Sequence, residues 1–169
     1  MASDDQRIGA ESVGIFERDL DRTPANHVPL SPLSFLRRSA EIYPDKIAVI
    51  HGDRRYTYRE LLERCRRLAS ALTKRGVRKG EAVAVLATNV PELLEAHYGV
   101  PVLGAVLNAI NTRLDPEAVA FILEHGEAKV LITDKELSGI AAKAVALLES
   151  PPLVIDIDDP LAAGGDLIG

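Results

Sequence analysis

From residue 81 onward, short β-branched runs alternate with helical patterns, and this alternation limits the fold more than any other feature of the chain. Glu81 to Ala87 (EAVAVLA), Ala105 to Ile110, Lys129 to Thr133 and Leu153 to Ile157 are apolar runs of strand length. Runs of this kind suit strands buried on both faces. Helix signals lie between them. Pro91 stands in the first turn of a stretch that carries Leu93, Leu94, Ala96 and His97 and fades near Pro101 or Gly104. Asp115 is an N-cap with Pro116 at the first helical position, and Val119, Ile122 and Leu123 form the apolar face that follows. Gly126 is placed at C′, just past that helix. Leu137 to Leu148 is an alanine-rich helix, and Pro151-Pro152 breaks the chain after it. Parallel strands need a crossover of about a dozen residues, usually a helix. The pattern therefore predicts an α/β fold with a mostly parallel sheet flanked by helices.

Ahead of the alternation, Leu33, Leu36, Ala40 and Tyr43 recur at helical spacing until Pro44 ends the run. Lys46 to His51 (KIAVIH) reads as a strand, Gly52-Asp53 as a tight turn and Arg54 to Thr57 as the returning strand, giving an N-terminal β-hairpin. Thr57, with Glu60 three residues on, forms a capping box. The helix it opens places Leu61, Leu62, Cys65, Leu68, Ala69 and Leu72 on one face, and Gly76 ends it in a left-handed conformation. Residues 1–28 show no sustained period and are expected to form a mobile or loosely docked arm. Residues 29–157 make the α/β segment, and residues 158–169, acidic and then glycine-rich, are expected to be an unstructured end.

Charge and cysteine content narrow the partners. The formal net charge is −5, the wrong sign for gripping a phosphate backbone, so no nucleic acid is expected. The run Arg64, Arg66, Arg67 is read as a solvated helix face. The acidic stretch Met1 to Pro24 has no apolar core and resembles neither a secretory signal nor a transit peptide. No stretch reaches the roughly 20 apolar residues of a membrane span. Cys65 is the only cysteine; it excludes an intrachain disulfide and a multi-cysteine zinc site, and a reducing, cytoplasmic setting is expected.

A search for chemistry finds little. No Gly-x-x-x-x-Gly-Lys-Ser/Thr, no Gly-x-Gly-x-x-Gly after a strand and no Gly-x-Ser-x-Gly occurs. Lys79-Gly80 and Gly164-Gly165 lack the glycine, lysine and hydroxyl spacing of a phosphate loop. His27, His51, His97 and His125 have no metal-ligand spacing. His97 reads as a satisfied helix histidine, and Cys65 as a structural thiol on an apolar helix face. Ligands of open parallel sheets bind at the carboxyl ends of the strands. That location makes Arg113, Thr88, Asn89 and the loop to Pro91 the candidates. The plainer readings are a surface or inter-segment salt bridge for Arg113 and a helix start for residues 88–91.

Several motifs occur together. Pro44-Asp45-Lys46-Ile47-Ala48-Val49 precedes Tyr56-Thr57-Tyr58-Arg59-Glu60-Leu61. Gly76-Val77-Arg78-Lys79-Gly80-Glu81-Ala82-Val83-Ala84-Val85 follows, then Asn89-Val90-Pro91-Glu92 and Gly104-Ala105-Val106-Leu107-Asn108-Ala109-Ile110-Asn111. In this order and spacing they resemble the start of the AMP-forming acyl-CoA synthetases, in the adenylate-forming (AMP-binding) superfamily. Tyr56 stands where that family has leucine. Asn111-Thr112-Arg113-Leu114-Asp115 and Phe121 to Leu131 are most similar to the branch of plant acyl-activating enzymes and bacterial medium-chain and methylthio-acid CoA ligases. The likeness runs from about Pro29 to Asp159.

The resemblance implies an incomplete part of the large N-terminal domain of such enzymes. It implies a ligase that joins a carboxylate, ATP and CoA into acyl-CoA, AMP and pyrophosphate through an acyl-AMP, with Mg-ATP and CoA as the cofactors of the full-length enzyme. The family's phosphate loop, ribose-binding aspartate and catalytic lysine match nothing within residues 1–169. No catalytic, cofactor-binding or metal residue is therefore assigned here, and the chain alone is expected to be inactive and to bind no cofactor. The end at Gly169, with no closing helix or strand, is expected of a truncated segment. The expected partners are the remainder of the parent enzyme and its carboxylic acid substrate, with self-association through exposed apolar surface. Two alternatives stay open: a stand-alone small-molecule-binding α/β module, and an oligomerisation or interaction piece.

Overall fold

Thr57 ends one element and begins another. Its hydroxyl accepts the Glu60 N–H at 3.2 Å, and the Glu60 carboxylate accepts the Thr57 N–H at 2.7 Å. Both halves of the capping box are thus formed at the start of helix α2 (Tyr58–Lys74). The Thr57 backbone N–H, and after it the Thr57 hydroxyl, which donates to Glu60 Oε2 at 2.9 Å, hold the Glu60 carboxyl below its ordinary range. A depressed carboxyl stabilises the fold above its ordinary titration range and loses that contribution as pH falls through its lowered value. Thr57→Ala is expected to cost about 1 kcal/mol in thermal melts at neutral pH.

The computed structural model describes residues 31–169 and positions 23, 25 and 27. The expected arm over residues 1–28 otherwise lies outside the described residues. Helix α1 (Pro32–Ile42) leads into the antiparallel hairpin of β1 (Ile47–His51) and β2 (Arg54–Thr57) and then into α2. The alternating part follows as β3 (Ala82–Leu86), α3 (Pro91–Gly99), β4 (Val106–Ala109), α4 (Pro116–His125), β5 (Ala128–Asp134), α5 (Ser138–Ala146) and β6 (Leu153–Ile157). Strands β3 to β6 form one parallel sheet in the order β4-β3-β5-β6.

The two faces of the sheet separate by residue parity. Val83 and Val85 of β3 and Val130 and Ile132 of β5 pack with Leu72 of α2 and Ala96 of α3. Ala84, Leu86 and Leu131 face Val119 and Leu123 of α4 and Ala141 and Ala144 of α5. A right-handed crossover explains the split: the path from β3 to β4 runs one way along the sheet and the path from β4 to β5 runs the other, so their helices fall on opposite faces. A third cluster, Leu36, Leu61 and Cys65 with Val49 beside it, joins α1 and α2 to the hairpin.

Three local expectations are adjusted. Gly76 takes the left-handed conformation (φ 88°), but Gly126 does not: it is the C-cap at φ −81°, and Glu127 takes the positive φ of 47°. Gly126 is needed for space, since a Cβ there would lie 2.9 Å from the Ile122 carbonyl oxygen. The helix expected from Leu137 begins at Ser138 after a 3-10 turn, because the Asp134 side chain accepts the Glu136 N–H and tightens the chain there. Residues 158–169 form no helix or strand. They are tied back by hydrogen bonds from Asp166 N–H to Ser138 Oγ at 3.1 Å and from Ile168 N–H to Asp156 Oδ2 at 2.9 Å.

Candidate functional site

The strand order reverses between β3 and β5, so their carboxyl ends flank the topological switch point where open α/β sheets hold ligands. Here an acidic side chain stands at that point. Thr88, just past β3, donates its hydroxyl to Asp134 Oδ2 at 3.0 Å, and Asp134 Oδ1 accepts the Glu136 N–H at 3.1 Å. Asp134 is fully buried at the end of β5. A buried acidic side chain with both oxygens engaged offers no donor to a phosphate.

The other candidates are not gathered there. Asn111 accepts the Arg113 N–H at 3.0 Å in a local turn after β4, an edge strand. The Arg113 side chain is exposed and forms no ion pair among the described residues, so the expected salt bridge is not made. Asp115 caps α4 through the Ala118 N–H at 2.8 Å, as its spacing with Pro116 predicts.

Asn89 and Pro91 instead line an apolar cleft of about 500 Å³ between β1, the start of α1 and α3. Val49, Ile50 and Leu94 supply much of its wall, with His51 and His97 among its polar groups. His97 is exposed and bonds the Leu93 carbonyl through Nδ1 at 2.8 Å, which fits a satisfied helix histidine.

A charged lattice lies between the hairpin, α2 and α3. Arg54 of β2 pairs with Glu92 of α3, and its Nε donates to the Tyr56 hydroxyl at 2.9 Å. Arg64 of α2 pairs with Glu95 and reaches Glu92 at 3.4 Å. Both guanidiniums lie over the Tyr56 ring, Arg64 at 4.5 Å and Arg54 at 5.5 Å from its centre. The solvated reading holds for exposed Arg66 and Arg67 and fails for Arg64, which is half-buried. The tertiary partners Glu92 and Glu95 are 28 and 31 residues away, beyond any helix-spacing rule. The sequence signal was Tyr56 in place of leucine: an aromatic face offers a guanidinium a platform that an aliphatic side chain does not.

Burial is the largest influence on Glu95 and raises its carboxyl above the ordinary range, against the pull of Arg64. Burial also opposes charge on Arg64, but the Glu95 hydrogen bond and nearby negative groups outweigh it and raise the guanidinium. Burial pushes the Cys65 thiol up to about 12. That thiol is therefore protonated and inert at neutral pH, as a structural cysteine should be.

Residues 36–167 match the family described as AMP-binding enzyme. The chain belongs to that family. It is 45% identical over 152 residues to the peroxisomal acetate/butyrate–CoA ligase AAE7 of Arabidopsis thaliana, covering 86% of this chain and 27% of that protein. It is 47% identical over 132 residues to the peroxisomal trans-cinnamate:CoA ligase of Petunia hybrida, covering 78% of this chain and 23% of that one. A long-chain-fatty-acid CoA ligase structure from Rhodopseudomonas palustris, its assignment provisional, superposes with a TM-score of 0.71 at 32% identity, over 77% of this chain and 33% of that one. The anthranilate CoA ligase AuaEII, solved with anthranoyl-AMP, gives a TM-score of 0.73 at 28% identity, over 77% and 26%. This chain thus spans about a quarter of the length of these curated relatives.

The family motifs are structural where this AMP-binding family chain displays them. Tyr56 to Leu61 carries the capping box and the arginine platform. Gly104, at φ 71°, turns the chain from α3 into β4 beside the Lys79 side chain. Among the described residues, no group of three or more His, Cys, Asp or Glu side chains could hold a metal ion, and no helix is long and apolar enough to cross a membrane.

Proposed function

We propose that residues 1–169 form the N-terminal scaffold of an AMP-forming acyl-CoA synthetase and catalyse no adenylation by themselves. The observation that supports this reading lies at the switch point, where the Asp134 carboxylate is taken up by the Thr88 hydroxyl and the Glu136 N–H. Adenylyl transfer depends on positioned donors and magnesium around the phosphates, and no phosphate-loop spacing occurs in the sequence. In the whole ligase, a carboxylate and ATP give acyl-AMP and pyrophosphate, and CoA then takes the acyl group. Mg-ATP and CoA are held by groups outside this segment. We place the chain in a reducing, cytoplasmic setting on the strength of its single, buried thiol.

Titration calorimetry of the 169-residue chain tests the proposal. No heat with Mg-ATP or with CoA, at concentrations up to about 1 mM, is the expected result. Micromolar binding of either ligand overturns it.

The apolar cleft favours a second reading, a small-molecule module, because its roughly 500 Å³ falls in the usual range for ligand pockets. Heat from a short-chain or aromatic carboxylic acid, lost in Leu94→Lys, would establish it. A third reading, self-association, draws on exposed Ile50 and Leu94, which line the cleft. A concentration-dependent sedimentation coefficient would support that one.

A further inference from the structure

We infer that the outer edge of β4 is a pairing surface for a second copy of this chain, strand against strand across a two-fold axis. β4 ends the sheet and pairs only with β3. The Val106 N–H donates to the Glu81 carbonyl and the Ile110 N–H to the Val85 carbonyl, each at 2.9 Å. Backbone groups alternate sides along a strand, so those of Leu107 and Ala109 point away from β3. Among the described residues no strand pairs with them.

Proteins guard such an edge with charge, proline, a bulge or a covering segment. Among the described residues β4 has none of these. Its sequence, Val-Leu-Asn-Ala, is uncharged and free of proline, and its register with β3 runs without a bulge. Val106 is 53% exposed, and Ala109 is exposed as well. The opposite edge of the sheet is guarded. β6 carries Asp156 and follows Pro151-Pro152. The last residues are held to it by the Ile168 and Gly169 N–H groups, which donate to Asp156 Oδ2 at 2.9 Å and 2.6 Å.

The free groups on β4 decide the occupant. They are main-chain donors and acceptors in alternation, which another strand matches. The edge also fits itself. Laid antiparallel with Asn108 opposite the partner's Asn108, Leu107 meets the partner's Ala109, and Ala109 meets the partner's Leu107. Both are hydrogen-bonded pairs, and each exchanges two N–H···O bonds. The joined sheet then ends on a guarded β6 at either side, so association stops at a dimer. A strip this short buries less than the roughly 1,200 Å² of a stable interface, and the dimer is a weak one. The inference rests on self-association of the chain and puts it on a surface that does not line the cleft.

Sedimentation velocity and NMR-detected amide exchange on the full 169-residue chain, from about 10 μM to about 1 mM, test the pairing. The sedimentation coefficient is expected to rise with concentration. Exchange at Leu107 and Ala109 is expected to slow about fivefold, the effect at about 1 mM of a dissociation constant near 0.1 mM. Val106 and Ile110, already bonded to β3, should exchange as before. Ala109→Pro removes an outward N–H and leaves the β3 ladder whole; it should abolish association. Val106→Lys, which adds charge to the edge and leaves the backbone intact, should do the same. Leu94→Lys, in the cleft, should change neither readout. Association that survives both edge variants and is lost in Leu94→Lys overturns the inference and leaves self-association through the cleft standing. A coefficient flat to about 1 mM overturns both. Unslowed exchange at Leu107 and Ala109 in a chain that does associate overturns the pairing alone.

Discussion

Leu131→Ala is expected to destabilise the chain by about 2–5 kcal/mol, in the upper half of that range. Leu131 is fully buried in the middle of β5, paired with Ala84 of β3 on one side and Val154 of β6 on the other. A strand held by ladders on both edges cannot shift to fill a hole, so most of the cavity would persist. The side chain lies in the cluster that joins the sheet to α4 and α5, and its loss would loosen the face against which the last residues pack through Ile168. Domains of this size are stable by only about 5–15 kcal/mol, so the variant would lose a large share of its margin. Urea unfolding with an unchanged slope is the measurement. Leu131→Met, which conserves volume, should lose less than about 1.5 kcal/mol. A loss below about 1 kcal/mol for alanine would mean that β5 is not the centre of the core.

Arg64→Ala is the second large effect, and it carries a pH signature. Removing the guanidinium leaves Glu95, whose side chain is 8% exposed, without its counter-charge. Breaking a fully buried pair costs about 3–5 kcal/mol. Arg64 itself keeps 32% exposure, so water screens part of the interaction and about 2–3 kcal/mol is expected near neutral pH. Burial already raises the Glu95 carboxyl, and losing Arg64 removes the main opposing influence. A carboxyl whose folded value lies above its unfolded value binds more protons when folded. Stability then falls as pH rises through that window. The penalty of Arg64→Ala should therefore be small at about pH 4 and full once pH passes the further-raised Glu95 value. Glu95→Gln in the same background should recover much of the loss. Thermal melts of the four chains at acid and neutral pH form the double-mutant cycle, and a penalty independent of pH would remove Glu95 from the account.

The β-strand runs and helix signals were legible because they depend on neighbours within a few residues. The capping box at Thr57 and Glu60 and the Asp115-Pro116 helix start stand where their spacing places them. Gly126, expected at C′, is the C-cap instead, and crowding by the Ile122 carbonyl, not a left-handed turn, demands the glycine there. The family was legible as well, since its motifs are short stretches read in order.

The candidate site was only half legible. The chain itself located Thr88, Asn89 and Arg113 at strand ends, which follows from the parallel order alone. It did not show that Thr88 and Asp134, 46 residues apart, would meet at the switch point. Nor did it show that Arg64 would leave the solvated face to join Arg54 on Tyr56. Periodicity, caps and turns are local free energies, and they set the elements and their sequence along the chain. Which side chains share a crevice and which charge is buried depend on how the crossovers pack. Those are properties of the assembled sheet, decided by burial and desolvation that no single segment experiences on its own.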